Sequence, residues 1–481
     1  MKLAAFRPVR FWKPDRSFAL VVLGIVSASA YAMMARFAGV AGFPLDDAWI
    51  HQTYARNLAW HGQWAFILGQ PSAGSTSPLW TLLLAVGYAL RIDYFVWTTA
   101  LNAVLLGVTA WLAYRLSGRW WVGALVAVEW HLVWAAASGM ETILFCALVM
   151  AAWRATIAGA ARSYAMLGGV LIGLAVWTRP DGLIALPFCA TAIWLASKEN
   201  TIKRLALFTL GAAAVVAPYF FFNISLSGQW WPNTFFAKQA EYAILLQLPL
   251  WRRLAQIFAA PFVGATLLLL PALFNRKWWI QLSWVAAFLA VYAFRLPVTY
   301  QHGRYLIPII PMLIVIGGAG AAGWVQLKAN AVWRRVISRA WVIALGGVAA
   351  AFWALGANAL IADVRVINAE MVRTAKWVAA NLPPGTVVAA HDIGALGYFA
   401  DVQLIDLAGL VSPEVIPIIG DEKRLREFMS REGAQYFINY PGWCPGFTGQ
   451  ADVTPVFQTG PLCDPSAPNL HMTVYRLSGG R

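Results

Sequence analysis

A series of long apolar runs limits the folds that this chain can adopt. The run from Ser17 to Ala35 carries no charge and follows a basic N-terminal segment. Because about 20 apolar residues are needed to cross the hydrocarbon core of a bilayer, this run predicts a membrane span. Further apolar runs follow at residues 94–114, 120–138, 142–158, 164–178, 182–197, 205–226, 254–274, 278–294, 305–327 and 340–360. By the length criterion, the sequence predicts a mainly α, polytopic transmembrane helical bundle of about 11 spans.

The charges of the chain support this topology. Only 12% of the residues are charged and 60% are hydrophobic, whereas soluble domains carry about 25% charged residues. If the N-terminus is cytosolic, the cytosolic segments hold 18 of the 36 Lys and Arg residues and the outer loops hold 9. The positive-inside rule predicts this bias. The net charge of +15 therefore indicates a cytosolic rim, and it requires no nucleic-acid partner.

The chain divides into two predicted parts near residue 360. Residues 1–360 hold the spans, with a first outer loop at about 38–93 and a second large outer loop at about 227–253. In the first outer loop, the run Pro78 to Leu90 is too short to cross comfortably, which predicts an interfacial or re-entrant helix.

Residues 361–481 are richer in charge and contain no run that could span. Strand-like runs such as Thr386–Ala390 predict a small α/β domain, and an odd number of spans predicts that it is extracytoplasmic. Cys444 and Cys463 lie in this part. Outside the cytosol these two cysteines could form a disulfide.

Adjacent acids directly follow the first span. One carboxylate of the pair Asp46 and Asp47 could deprotonate an acceptor hydroxyl, while the other orients it, holds a metal or stabilises positive charge. His51 and Tyr54 share a helical face with Asp47. The alternative is that both aspartates cap the following helix. Paired aspartates allow a divalent metal, although no ligand cluster in the sequence demands one.

Three cationic positions fall on the predicted outer side. Arg179 joins two spans and could grip a phosphate bidentately, or it could pair with Asp181 in a tight turn. Lys238 could neutralise a phosphate, or it could be an interfacial lysine on an amphipathic helix. Arg304 opens the tenth span and is either a third phosphate ligand or a rim anchor.

Other polar residues gather on the same predicted side, where a rim over an apolar bundle could bind an anionic lipid head group. The candidates for substrate binding are His51, Tyr54, Arg56, Ser75, Thr76, Glu141, Asp181, Asn233 and His302.

A first span followed by an acidic outer loop resembles the GT-C glycosyltransferases. Short motifs extend the resemblance to the group of the mycobacterial terminal β-1,2-arabinofuranosyltransferase, from about residue 44 to about residue 415. These motifs are Asp46–Ile50, Tyr54–Asn57, Ser75–Trp80, Ser138–Thr142, Arg179–Gly182, Pro232–Lys238, Asp392–Tyr398 and Ile405–Leu410. Phe236 stands where the family pattern has Tyr.

The resemblance implies an enzyme of the bacterial inner membrane. It would transfer a sugar, with arabinofuranose as one option, from a polyprenyl-phosphate donor to an envelope glycan, lipid or protein on the outer face, with inversion. One of Asp46 and Asp47 would be the base, and Arg179, Lys238 and Arg304 would bind the donor phosphate. The rival hypotheses are a transporter or flippase for a lipid-linked or small solute, and a polymerase or ligase of lipid-linked glycans.

Overall fold

The structure is a computed structural model that describes residues 17–157, 162–196, 200–460 and 471–478. Cys463 lies outside the described residues, so the predicted pairing with Cys444 stays a prediction.

Helices dominate the first three quarters of the chain. They are α1 (Phe18–Phe37), α2 (Asp47–His61), α3 (Pro78–Ala89), α4 (Tyr94–Ser117), α5 (Trp120–Val128), α6 (Trp130–Ala137), α7 (Thr142–Ile157), α8 (Arg162–Thr178), α9 (Ala185–Ala196), α10 (Thr201–Ser227), α11 (Asn233–Glu241), α12 (Leu250–Ala259), α13 (Trp279–Arg295), α14 (Tyr300–Gly303), α15 (Ile310–Trp324) and α16 (Val332–Ile367).

The helix boundaries follow from local chemistry. Asp93 begins α4 by accepting hydrogen bonds from the backbone N–H groups of Phe95 and Val96 at 3.0 Å. Gly118 ends the same helix with a φ of 71°, a conformation that glycine adopts without steric cost. Pro78 occupies the first turn of α3, where its missing N–H would have had no helical partner.

Five helical segments among the described residues are long and apolar enough to cross a membrane, and up to seven if each of two bent pairs forms one span. The bent pairs are α5 with α6, at 52°, and residues 250–262 with 265–272, at 108°. These helices indicate a multi-pass membrane protein. Helices such as α7, α8 and the 12-residue α3 are shorter than this criterion. The predicted count of about 11 spans therefore stays a prediction.

Close helix approach in the bundle depends on small residues. A Cβ atom on Gly24 of α1 would lie 2.6 Å from the Cα atom of Gly107 on α4. Small residues allow membrane helices to pack backbone against backbone, which compensates for the weak hydrophobic driving force between helices in lipid.

The C-terminal quarter contains a five-stranded mixed sheet. Its strands lie in the order β4-β3-β5-β7-β6, with β3 parallel to β4 and β5, and β7 antiparallel to β5 and β6. Strands β1 and β2 form a separate antiparallel hairpin. The bounds are β1 (Ala65–Ile67), β2 (Gln70–Pro71), β3 (Val387–Ala390), β4 (Gln403–Asp406), β5 (Tyr436–Asn439), β6 (Val453–Gln458) and β7 (Thr473–Leu477), with helices α17 (Arg373–Asn381), α18 (Gly394–Phe399), α19 (Glu422–Arg431) and α20 (Pro445–Thr448).

The sheet and the helical bundle share one apolar core. Val388 and Ile438 of the sheet belong to the same buried cluster as Ile143 of α7 and Leu360 of α16. The predicted domain boundary at residue 360 lies within α16, which runs without a break to Ile367. The C-terminal segment is therefore packed directly on the end of the bundle where the predicted first outer loop, residues 38–93, lies.

Candidate active site

A cavity of about 350 Å³ lies at this end of the bundle. Its lining brings together candidates that come from separate loops of the sequence. They are Asp47, His51, Thr76, Glu141, Arg179, Asp181, Lys238 and Arg304. The cavity thus combines carboxylates and cations over an otherwise largely apolar wall.

Asp47 lies at the start of α2 and faces the cavity. Its Oδ2 atom is 2.6 Å from Nη2 of Arg304, and its side chain is 28% exposed. Burial raises the pKa of Asp47, but Arg304 and then Lys238 outweigh that effect and hold the pKa well below its usual range. Asp47 is therefore an ionised carboxylate within reach of anything bound in the cavity.

Asp46 has a different environment. Its carboxylate accepts hydrogen bonds from the backbone N–H groups of Gly394, at 2.7 Å, and Ala395, at 2.8 Å, and so binds the N-terminus of α18. Its side chain makes no capping hydrogen bond to α2. A Cβ atom at Gly394 would lie 2.1 Å from the carbonyl oxygen of Asp46, so only glycine fits this contact. Asp46 therefore does not cap the helix that follows it, as the alternative supposed, but binds the N-terminus of a helix that is distant in sequence.

The environment of Asp46 predicts a pH-dependent stability. Burial, followed by the charge of Asp392, raises the pKa of Asp46 to about 7. A carboxyl whose pKa is higher in the folded than in the unfolded chain binds more protons when folded, so its stabilising contribution is lost as the pH rises from about 4 to about 7. We expect the Tm of the wild type to fall more steeply with pH than that of Asp46→Asn, which cannot titrate.

The measurement is a series of thermal unfolding curves from pH 4.5 to 8 in one detergent. The pKa of His391 is also raised, and this residue titrates in both proteins, so its contribution cancels in the comparison. Parallel Tm curves for the two proteins would contradict the prediction.

Arg179 forms the centre of a buried network and is 8% exposed. Its Nε and Nη2 atoms donate to Asp181 at 3.3 and 3.1 Å, and Nη2 also donates to the hydroxyl of Tyr292 at 2.8 Å. The Tyr292 hydroxyl donates in turn to Asp181 at 2.6 Å. Nη1 lies 3.7 Å from Glu141. The Arg–Asp turn pair therefore exists, and it also lines the cavity.

Lys238 lies on α11, which begins directly after Pro232. Its Nζ atom donates to Glu241 at 3.0 Å. Burial lowers the pKa of Lys238, but Asp47 and then Glu241 raise it above its usual range, so the side chain is a cation. Only 18% of this side chain is exposed. An interfacial lysine on an amphipathic helix would keep its amine in solvent. The largely buried amine of Lys238 does not fit that alternative.

His51 is 2% exposed and is held on both sides of its ring. Its Nδ1 atom is within 3.4 Å of the hydroxyls of Ser75 and Thr81, and its Nε2 atom is 3.6 Å from Glu141. Burial is the largest influence and lowers the pKa of His51. The neutral ring therefore fixes α2 against the chain segment that carries Thr76.

Four other candidates do not line the cavity and are instead hydrogen-bonded to other residues of the protein. Tyr54 is hydrogen-bonded to Ser72 at 2.6 Å, and Arg56 donates to the carbonyls of Tyr398 and Gly397. The remaining two are Asn233, which donates to the carbonyl of Leu410 at 3.3 Å, and His302, whose Nε2 atom is 2.8 Å from Asp363. The contacts of Arg56 and Asn233 hold the predicted first outer loop and α11 against the C-terminal segment.

Some residues around the cavity were not predicted as site residues from the sequence. Tyr292, Tyr305 and Trp134 line it but look like ordinary aromatic residues of apolar runs. Asp363 accepts hydrogen bonds from Trp134, at 2.9 Å, and from His302. Its position near the end of a long helix gave no indication of these partners. Within the described ranges, no group of three or more His, Cys, Asp or Glu side chains could hold a metal ion.

Comparisons of sequence give limited information. A family profile described as "Domain of unknown function (DUF8728)" matches residues 361–475. The sequence matches none of the curated proteins with which it was compared.

Comparisons of structure are more informative. ArnT from Cupriavidus metallidurans bound to undecaprenyl phosphate superposes with a TM-score of 0.60 at 16% identity, over 95% of this chain and 97% of that chain. The oligosaccharyltransferase AglB from Archaeoglobus fulgidus, in complex with an inhibitory peptide and a dolichol-phosphate, gives 0.56 at 11% identity, over 89% and 70%. The arabinofuranosyltransferase AftD from Mycobacteria gives 0.53 at 15% identity, over 97% and 42%. All three belong to the GT-C superfamily, and this chain has the GT-C fold.

Proposed function

We propose that this chain is a membrane glycosyltransferase that transfers a sugar from a polyprenyl-phosphate donor to an acceptor hydroxyl, with inversion. The observation that carries the proposal is the ion pair of Asp47 and Arg304 at 2.6 Å in a cavity that Lys238 also lines. A carboxylate beside several cations suits acid–base chemistry next to a phosphate. Among proteins of this fold, ArnT binds undecaprenyl phosphate and AglB binds a dolichol-phosphate.

The donor phosphate is assigned to Arg304 and Lys238. Arg304 contacts Asp47 and Tyr305 through a single nitrogen, Nη2, so the rest of its guanidinium can turn toward a phosphate. Lys238 donates to Glu241 and has further N–H donors. Arg179 contributes less directly, because Asp181 and Tyr292 already hold two of its nitrogens. Its charge still favours a phosphate in the cavity.

In the proposed reaction, Asp47 accepts the proton of the acceptor hydroxyl. The acceptor oxygen forms a bond to the anomeric carbon, and the bond from that carbon to the donor phosphate oxygen breaks on the opposite face of the sugar. The electron pair of the broken bond leaves with polyprenyl phosphate. Because this leaving group is a stable anion, the step needs no strong general acid, and attack from the opposite face inverts the anomeric centre.

Donor binding would also make Asp47 a better base. In the free protein, Arg304 and Lys238 hold the pKa of Asp47 well below its usual range against the effect of burial. A bound phosphate is an anion and pairs with the same two cations. It therefore weakens their effect on Asp47 and raises the pKa of this carboxyl. The basicity of the carboxylate would therefore rise when the donor is in place.

The choice of donor sugar and acceptor rests on the sequence motifs that resemble those of the arabinofuranosyltransferase group. Arabinofuranose is the first donor sugar to test, and the acceptor is an envelope glycan, lipid or protein. We place the cavity on the outer face of a bacterial inner membrane, with a cytoplasmic N-terminus and an extracytoplasmic C-terminal domain, because the basic residues are concentrated on the opposite side.

The test is native mass spectrometry of the detergent-purified protein with a panel of polyprenyl-phosphate sugars, followed by a transfer and hydrolysis assay without any ion gradient. We expect one donor to be retained and turned over, while the corresponding polyprenol without phosphate is not retained. Failure to bind or turn over any donor would contradict the proposal and favour a transporter or flippase. Products longer than one added sugar would instead indicate a polymerase or ligase.

A further inference from the structure

A second cavity, of about 1110 Å³, lies elsewhere in the bundle. Helices α1, α5, α15 and α16 form its walls, with Leu23, Leu125 and Leu345 among the lining residues. The cavity is an open apolar groove, and it shares no lining residue with the candidate active site. We refer to it as the lipid groove.

The lipid groove opens at the opposite end of the bundle from the candidate active site. Helix α4 has 24 residues: it begins with Tyr94, whose ring packs 5.4 Å from that of Trp49 in the predicted first outer loop, and ends at Ser117. A helix of that length spans about 36 Å, which is more than the thickness of the hydrocarbon core of a bilayer. Arg119, which lines the groove, follows this helix after Gly118.

Two cations occupy this far end of the groove. Arg119 precedes α5 and Lys328 follows α15, and both side chains are exposed. No carboxylate lines the groove within the part of the chain that the structure describes. The rings of Trp121 and Trp324 each pack against Trp341, at centroid distances of 6.3 and 5.2 Å. Tryptophan clusters of this kind favour the level of the lipid headgroups.

The length of the groove fits one leaflet. Along α16 it is lined from Trp341 to Trp353, and 12 helical residues extend about 18 Å. One leaflet contributes about 15 Å of hydrocarbon. Trp353 closes the inner end, with its indole N–H donating to Ser27 at 2.8 Å. A chain of leaflet length therefore fits between the cations and Trp353.

The packing of α16 leaves this space open. Gly346 lines the groove, and a Cβ atom added there would meet nothing within 4 Å. The long helix that contains it is only 22% buried over its most apolar window. An apolar trough in contact with lipid fills with acyl chains, and a basic pocket at its mouth selects an anionic headgroup.

We propose that the lipid groove binds a phospholipid with an anionic headgroup, whose phosphate lies between Arg119 and Lys328 and whose acyl chain lies along α16. This site is separate from the proposed donor site, and its occupancy does not depend on transfer activity. The test can therefore fail while the proposed function stands, and the reverse is also true.

The test compares retention of phosphatidylglycerol and phosphatidylcholine of identical acyl chains by native mass spectrometry. We expect the wild type to retain phosphatidylglycerol selectively. Removal of both cations, in Arg119→Ala/Lys328→Ala, should lower the bound fraction at least tenfold. Gly346→Phe, which keeps both charges and places a ring where the acyl chain would lie, should have the same effect.

Two matched controls separate the groove from general effects. Gly347→Phe places the same ring next to Gly346, at a position that also has open space but does not line the groove. Arg334→Ala/Arg339→Ala removes the same charge from exposed positions on α16. Both controls should retain phosphatidylglycerol. The proposal would be overturned if either control lost as much phosphatidylglycerol as the groove variants, or if both groove variants retained it. Equal binding of phosphatidylcholine by the wild type would also overturn it.

Discussion

Replacement of Asp47 by Asn will lower the rate of sugar transfer by about 100- to 10,000-fold, the range expected for loss of a positioned general base. The substitution keeps the shape of the side chain but removes the negative charge that lies 2.6 Å from Arg304. Because one negative charge leaves the cavity, donor binding should be retained or become tighter. Single-turnover transfer and donor binding, measured on the same preparation, separate these two effects.

The matched control is Asp46→Asn. Asp46 is adjacent in sequence, but its carboxylate is bound to the backbone of Gly394 and Ala395. Its replacement leaves one of these N–H groups without its acceptor and costs about 1–3 kcal/mol of stability. Transfer by the folded variant should stay within about tenfold of the wild type, well short of the loss of a general base. Normal turnover by Asp47→Asn would overturn the assignment of the base, and a larger loss in a folded Asp46→Asn would reverse it.

Replacement of Arg304 or Lys238 by Gln will weaken donor binding by about 10- to 100-fold, because a hydrogen bond to a charged group contributes about 1.5–3 kcal/mol. Both side chains are largely buried and line the cavity beside Asp47. The effect should be present with the complete donor and with polyprenyl phosphate alone, since the phosphate is the group recognised. Titration of each lipid by native mass spectrometry measures it.

Arg295 provides the control for this prediction. It also lines the cavity, but its side chain is exposed, and exposed charge pairs contribute about 0–1 kcal/mol. Arg295→Gln should therefore weaken donor binding by less than about fivefold. An equal loss in all three variants would indicate general electrostatic attraction, and no loss in Arg304→Gln and Lys238→Gln would contradict the phosphate assignment.

The sequence was a good guide to the residues that meet in the cavity. Asp47, Glu141, Arg179, Lys238 and Arg304 come from five different segments, yet all were candidates before the fold was known. Charged side chains are costly inside a membrane, so they concentrate where the helices end. Once the spans are assigned, alternation of loop ends predicts which charges share a side.

The roles of neighbouring residues could not be predicted in this way. Asp46 and Asp47 are chemically identical and adjacent, but one caps α18 and the other faces the cavity. Arg56 and Arg179 both looked available for a ligand, whereas Arg56 is used to bind carbonyls of Gly397 and Tyr398. Each distinction depends on a partner more than 300 residues away in the chain.

Hydrophobic run length and charge placement are local properties, so the sequence alone was enough to predict a helical membrane protein with its candidate site residues at one end. Which of those side chains line the cavity depends on contacts between distant parts of the chain. Backbone groups of the C-terminal segment form hydrogen bonds with Asp46 and Arg56. Asp47 and Arg304 instead form an ion pair in the cavity. The lipid groove also depends on the packing of helices that are distant in sequence. A gap between α1, α5 and α16 cannot be predicted from the sequence of any one of them.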